Sequence, residues 1–106
     1  MTRIVIHGVG AFEVSPLPGQ PQVAHCHALF VPPGHRGNGW GKVLKAAQNK
    51  YLQDHMFDYA ICTVRRDNEA QKHILKQAEW EYKDTFFDRR QDCHVEVWGY
   101  CVPQGE

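Results

Sequence analysis

The feature that most constrains this chain is an apolar strand running straight into a glycine-rich turn and then an amphipathic helix. The turn reads His35-Arg36-Gly37-Asn38-Gly39-Trp40-Gly41-Lys42. Glycines at alternate positions leave the backbone without Cβ atoms where a helix presents its first N–H groups, which lack intrahelical partners. Such donors converging at the positive end of a helix dipole favour an anion bearing phosphate groups. Arg36 and Lys42 add positive charge on either side. A plain strand-to-helix connection needs one glycine; three of them behind Arg36 exceed that need.

The flanking pattern sets the order of elements. Val23 to Val31 reads as a strand that ends at Pro32-Pro33-Gly34, because proline donates no N–H and disfavours helix before it. From Gly39 to about residue 54, Trp40, Val43, Leu44, Ala47, Tyr51 and Leu52 recur at helical spacing. Tyr59 to Val64 is a run of strand formers. Asp67-Asn68 then offers an N-cap to a helix reaching Glu79, with Ala70, Ile74, Leu75 and Ala78 on one stripe. Upstream, Arg3 to His7 and Ala11 to Val14 read as a hairpin, followed by a proline-rich loop over 15–22. Downstream, Tyr82 to Phe87 and His94 to Val102 are strands joined by a polar turn. The order β-β-β-α-β-α-β-β predicts one α/β (α+β) domain over 1–106, with helices packed on a mixed sheet.

Composition narrows the partners. The 106 residues carry 12 basic and 12 acidic side chains, so no net field draws the chain to nucleic acid or a membrane. Neither a signal-peptide pattern nor a transmembrane-length apolar run occurs, and the four cysteines lack CxxC spacing. A cytoplasmic protein with reduced thiols is the expectation. His25, Cys26, His27, Cys93 and His94 are possible metal ligands. Cys26 alternates to the other strand face and no closed four-ligand spacing appears, so no metal site is expected.

Three glycine-rich phosphate loops compete. A Walker loop requires glycine at 36 and a hydroxyl at 43, where this chain has Arg36 and Val43. A dinucleotide fingerprint requires a different glycine spacing from that of Gly37, Gly39 and Gly41. Arg36-Gly37-Asn38-Gly39-Trp40-Gly41 instead resembles the [Arg/Gln]-x-x-Gly-x-[Gly/Ala] pyrophosphate loop of the GCN5-related N-acetyltransferases (GNAT family). Leu-Phe-Val-Pro before the loop, and the strand and Asn68 after it, agree with that family over about 23–102.

The resemblance implies a mostly antiparallel GNAT-like sheet with splayed central parallel strands and two main helices, taking acetyl-CoA as co-substrate. The backbone of Leu29, Phe30 and Val31 would meet the pantetheine arm, and the Leu29 N–H would polarise the thioester carbonyl. Arg36, Gly37, Asn38, Gly39, Trp40, Gly41 and Lys42 would hold the pyrophosphate, and Asn68 would contact the cofactor besides capping its helix. Trp40 also reads as the first apolar position of the helix. The expected reaction is direct attack of a primary amine on the thioester. An amine titrating near 10 is protonated at neutral pH, so a base is needed. The position of the family's catalytic glutamate is occupied by His25, and His27 shares its strand face; either could serve.

Two departures stand out. Many family members carry a tyrosine acid where this chain has Leu75, leaving Tyr82, Tyr100 and Cys62 as unranked substitutes and a non-catalytic CoA-binding module as the alternative function. The family's usual Gly-Phe after this helix is here Glu79-Trp80. With only a hairpin ahead of Val23, the acceptor site is expected to be open or completed by a homodimer.

Overall fold

The computed structural model describes residues 2–32, 34 and 39–104. Six strands form one sheet: β1 (Thr2–Ile6), β2 (Gly10–Leu17), β3 (Gln20–Phe30), β4 (Tyr59–Arg65), β5 (Glu81–Asp88) and β6 (Cys93–Cys101). Helix α1 (Trp40–Asp54) connects β3 to β4, and α2 (Glu69–Gln77) connects β4 to β5. The strand order is β1-β2-β3-β4-β6-β5, with β3 and β4 parallel and every other neighbouring pair antiparallel. This is the mixed, mostly antiparallel sheet with two helices that the sequence implied.

One expectation fails: 15–22 is not a loop. β2 continues through Leu17, the chain reverses at Pro18-Gly19, and Leu17 faces Gln20. Gly19 has φ +78, the left-handed conformation that suits glycine at the third position of a tight turn. Among the described residues β1 pairs with β2 no further than Val14, so none of them calls for the missing N–H of Pro16 on that side.

Register and alternation divide the sheet into two faces. Phe12, Val14, Ala24, Cys26, Ala60, Cys62, Trp98 and Tyr100 join Leu44 and Leu52 of α1 and Leu75 of α2 in one core. Both helices lie on that face: a Cβ on Gly41 of α1 would meet Ile74 of α2, and Lys72 of α2 reaches Glu96 of β6. His25, His27, Ile61 and Thr63 belong to the opposite face.

The buried positions of α1 are Leu44, Lys45, Gln48 and Leu52, whereas Val43 is 44% exposed. The inward stripe is therefore turned from the one read from apolar residues alone, and it carries two polar side chains into the core. On α2, Leu75 is fully buried, Ile74 and Ala78 are half-buried and Ala70 is exposed.

Candidate functional site

β3 and β4 are paired at only three positions, Val23 with Tyr59, Ala24 with Ala60 and His25 with Ile61. Beyond them the strands part, leaving Cys26–Phe30 and Cys62–Arg65 without partners across the gap. A cleft of about 250 Å³ fills this opening. Cys26, His27 and Leu29 line it from β3, Cys62 to Arg65 from β4, Lys45 and Gln48 from α1, and Asn68 and Gln71 from the start of α2.

Helix α1 is the next element after β3, and its Lys45 and Gln48 border the opening. Gly39 caps it in the left-handed conformation, φ +79, with no side-chain cap, and no acidic residue stands in the first turn. The first-turn N–H groups thus face no carboxylate of their own turn, which leaves this helix end suited to an anion. Trp40 is half-buried and Lys42 exposed. Arg36, Gly37 and Asn38 lie outside the described residues. Leu29 and Val31 pack against the core margin, and Phe30 is 43% exposed.

The two histidines lie together on the face away from the helices, with ring centroids 3.8 Å apart. Ser15 Oγ is 2.9 Å from His27 Nε2, an anchor the sequence hides because the prolines after Ser15 signal a loop. Burial, and next the neighbouring His27, pull the His25 pKa below its ordinary value. A histidine shifted that way is neutral at physiological pH and able to take a proton. Asn68 caps α2, its Oδ1 accepting from the Gln71 N–H at 3.1 Å, while it also lines the cleft.

Of the substitutes for a tyrosine acid, Tyr82 is exposed and bonded to Thr85 at 2.6 Å. Tyr100 stacks on Trp80 in the core, and burial raises its pKa. Only Cys62 lines the cleft, and burial raises its thiol too. Burial likewise pushes Cys26 up to about 12, against the pull of Lys45. Lys45 is the site residue that apolar periodicity hid. Its Nζ donates to Gln48 Oε1 at 2.7 Å and sits 3.7 Å from the centre of the Trp80 ring. Among the described residues no carboxylate pairs with it, and burial depresses its pKa despite the two cysteines.

No group of three or more His, Cys, Asp or Glu able to hold a metal occurs among the described residues. No described helix is long and apolar enough to cross a membrane.

The fold has counterparts among known proteins. The family described as Acetyltransferase (GNAT) family matches residues 7–80, and the chain belongs to it. Among solved structures, a ribosomal-protein-alanine N-acetyltransferase from Brucella melitensis superposes with a TM-score of 0.79 at 16% identity, covering 94% of this chain and 67% of that one. An acetyltransferase of Bacillus subtilis in complex with CoA gives 0.75 at 11% identity, covering 90% and 70%. A spermidine N-acetyltransferase chimera from Vibrio cholerae and hSSAT gives 0.76 at 15%, covering 89% and 60%. The chain spans 57% of the length of an acetyltransferase from Streptococcus pneumoniae that it also resembles. No curated protein matches.

Proposed function

We propose that the chain is an acyl-CoA-dependent N-acyltransferase that moves an acetyl group from acetyl-CoA to a primary amine by direct attack. The observation that carries this reading is the β3–β4 opening bordered by α1, a helix whose first turn carries no acidic side chain. In the proposed reaction the first-turn N–H groups, with Arg36, Gly37 and Asn38 ahead of them, hold the pyrophosphate. Leu29, Phe30 and Val31 meet the pantetheine arm, and the Leu29 N–H stabilises charge developing on the carbonyl oxygen. His25, kept neutral by its surroundings, takes the amine proton directly or through His27, which Ser15 holds in place. Nitrogen bonds to the carbonyl carbon, the C–S bond breaks, and the electron pair leaves with sulfur. Asn68 contacts the cofactor from the α2 end of the cleft.

The acceptor is a protein or small-molecule amine, since the structural relatives are named for acceptors of both sorts. A second copy of the chain would wall the acceptor side, where His25 and His27 lie on the face opposite α1 and α2; sedimentation of the purified protein tests this. Calorimetry with CoA tests the cofactor site. Gly39→Glu puts a carboxylate at a left-handed position in front of the helix, and binding is expected to fall at least about a hundredfold while α1 stays folded. Unchanged binding overturns the assignment. The non-catalytic reading is favoured by Leu75, a core side chain with no hydroxyl to offer. It would stand if CoA bound and no amine in a broad panel released free thiol.

A further inference from the structure

Among the described residues the buried polar side chains are Lys45, Gln48 and Glu96. Glu96 is matched: it accepts from Trp98 Nε1 at 2.9 Å and pairs with Lys72 Nζ at 3.4 Å. Among the described residues no carboxylate matches Lys45. An ammonium has three protons to donate. One goes to Gln48 Oε1 and the cation rests on the Trp80 face, and both contacts suit a charged amine. Beyond these, Lys45 borders the strand opening, where the titratable groups that act on it are the thiols of Cys26 and Cys62. Both thiols titrate above their ordinary range, so they stay neutral and supply no counter-charge at physiological pH. A desolvated cation whose remaining donors meet no partner among the described residues thus borders the cleft in which an acyl thioester would break.

We propose that Lys45 is the proton donor to the departing CoA thiolate, an inference that rests on the acetyl-CoA reading above. As the C–S bond breaks, the sulfur takes the bonding pair and then a proton from Lys45 Nζ. The products are free CoA thiol and a neutral amine, and the amine is reprotonated from solvent once the cleft empties. The acceptor's own proton leaves on the other face, to His25, so the two transfers balance. An ordinary ammonium, titrating near 10.4, gives a proton reluctantly to a thiolate whose thiol titrates near 8.5. Burial lowers the proton affinity of Lys45 and narrows that mismatch. The same cation, before it yields its proton, favours negative charge on sulfur.

The first experiment uses the unmodified protein. CoA is bound and its thiol titrated by the ultraviolet absorbance of the thiolate. Lys45 is expected to make the bound thiol at least about tenfold more acidic than free CoA, a shift of one unit or more. A bound thiol titrating like the free one overturns the proposal but leaves CoA binding standing. Absence of CoA binding overturns the acetyl-CoA reading and this inference with it. The second experiment compares Lys45→Met with the parent on acetyl-CoA and on an acetyl thioester of a more acidic thiol. Loss of a general acid is worth roughly 10²–10⁴-fold in kcat on acetyl-CoA. It should shrink to a few-fold on the better leaving group, with KM little changed. An equal loss on both donors means a merely structural lysine and refutes the assignment. Should the variant fail to fold, the titration of the parent protein decides.

Discussion

Removing the buried cation should stabilise the fold, provided that its acceptor goes with it. Lys45 is 3% exposed and Gln48 1%, and a 2.7 Å hydrogen bond joins them at the floor of the cleft. Lys45→Met keeps the length of the side chain and removes the desolvation cost. It also forfeits the Trp80 contact, worth up to about 2 kcal/mol when desolvated, and orphans Gln48 Oε1 at about 1–3 kcal/mol. These terms offset the gain, so the single variant should lie within about 1 kcal/mol of the parent. Gln48→Leu alone strips a buried ammonium of its acceptor and should cost about 2–3 kcal/mol. The double variant removes both polar groups, and replacing a buried ionic cluster by apolar side chains of similar size gains about 1–4 kcal/mol. Urea unfolding of the four proteins forms a double-mutant cycle with an expected coupling of at least about 1 kcal/mol. The sign with pH follows from the depressed pKa of Lys45, whose ordinary value is 10.5. Between its folded and unfolded pKa values the unfolded chain binds the extra proton, so parent stability rises with pH across that window. The advantage of the double variant is therefore greatest below the folded pKa of Lys45 and fades as pH rises towards 10.5. A harmless Gln48→Leu, together with a double variant no more stable than the parent, would refute the picture of a desolvated cation.

Further outcomes follow from single residues. Asn68→Ala removes the cap on the Gln71 N–H and should cost about 1 kcal/mol in urea unfolding, while Asn68→Asp should cost little. Glu79 ends α2 with φ +69, so Glu79→Gly should stabilise the protein by about 1 kcal/mol, raising its thermal midpoint. Because His25 must be neutral to accept a proton and its pKa is lowered, kcat/KM should rise through mildly acidic pH and level off by neutrality. His25→Ala should remove that acidic limb and about a hundredfold of the rate; an unchanged profile would exclude His25 as the base.

Much of this architecture could be read from the chain because its signals are local. The strands at Tyr59–Arg65 and Cys93–Cys101 lie within about one residue of their expected limits, and the Asn68 cap behaves as its residue type predicts. What escaped was set by tertiary context. Pro16 signals a loop in isolation, yet it lies within β2, paired with Ala24 of β3 and with no described residue of β1. Lys45 and Gln48 lie off the apolar stripe that marks the helix in the sequence, and packing against Trp80 and the sheet turns them inward. The parting of β3 from β4 is a matter of register, which no single strand encodes; family resemblance supplied it, and the pairing pattern displays it. The missing glycine at 79 was visible, but its consequence, a glutamate in left-handed backbone, needed coordinates.

The three rungs that join β3 to β4 also make this sheet two ribbons riveted at one end, β1-β2-β3 and β4-β6-β5. Thermal breathing should concentrate along the unriveted seam, where the β3 and β4 amides that face the gap beyond His25 and Ile61 exchange sooner than those paired with β2 and β6. A guest that spans the seam would act as a splint, so occupancy should tighten the molecule as a whole and carry its melting upward with guest concentration.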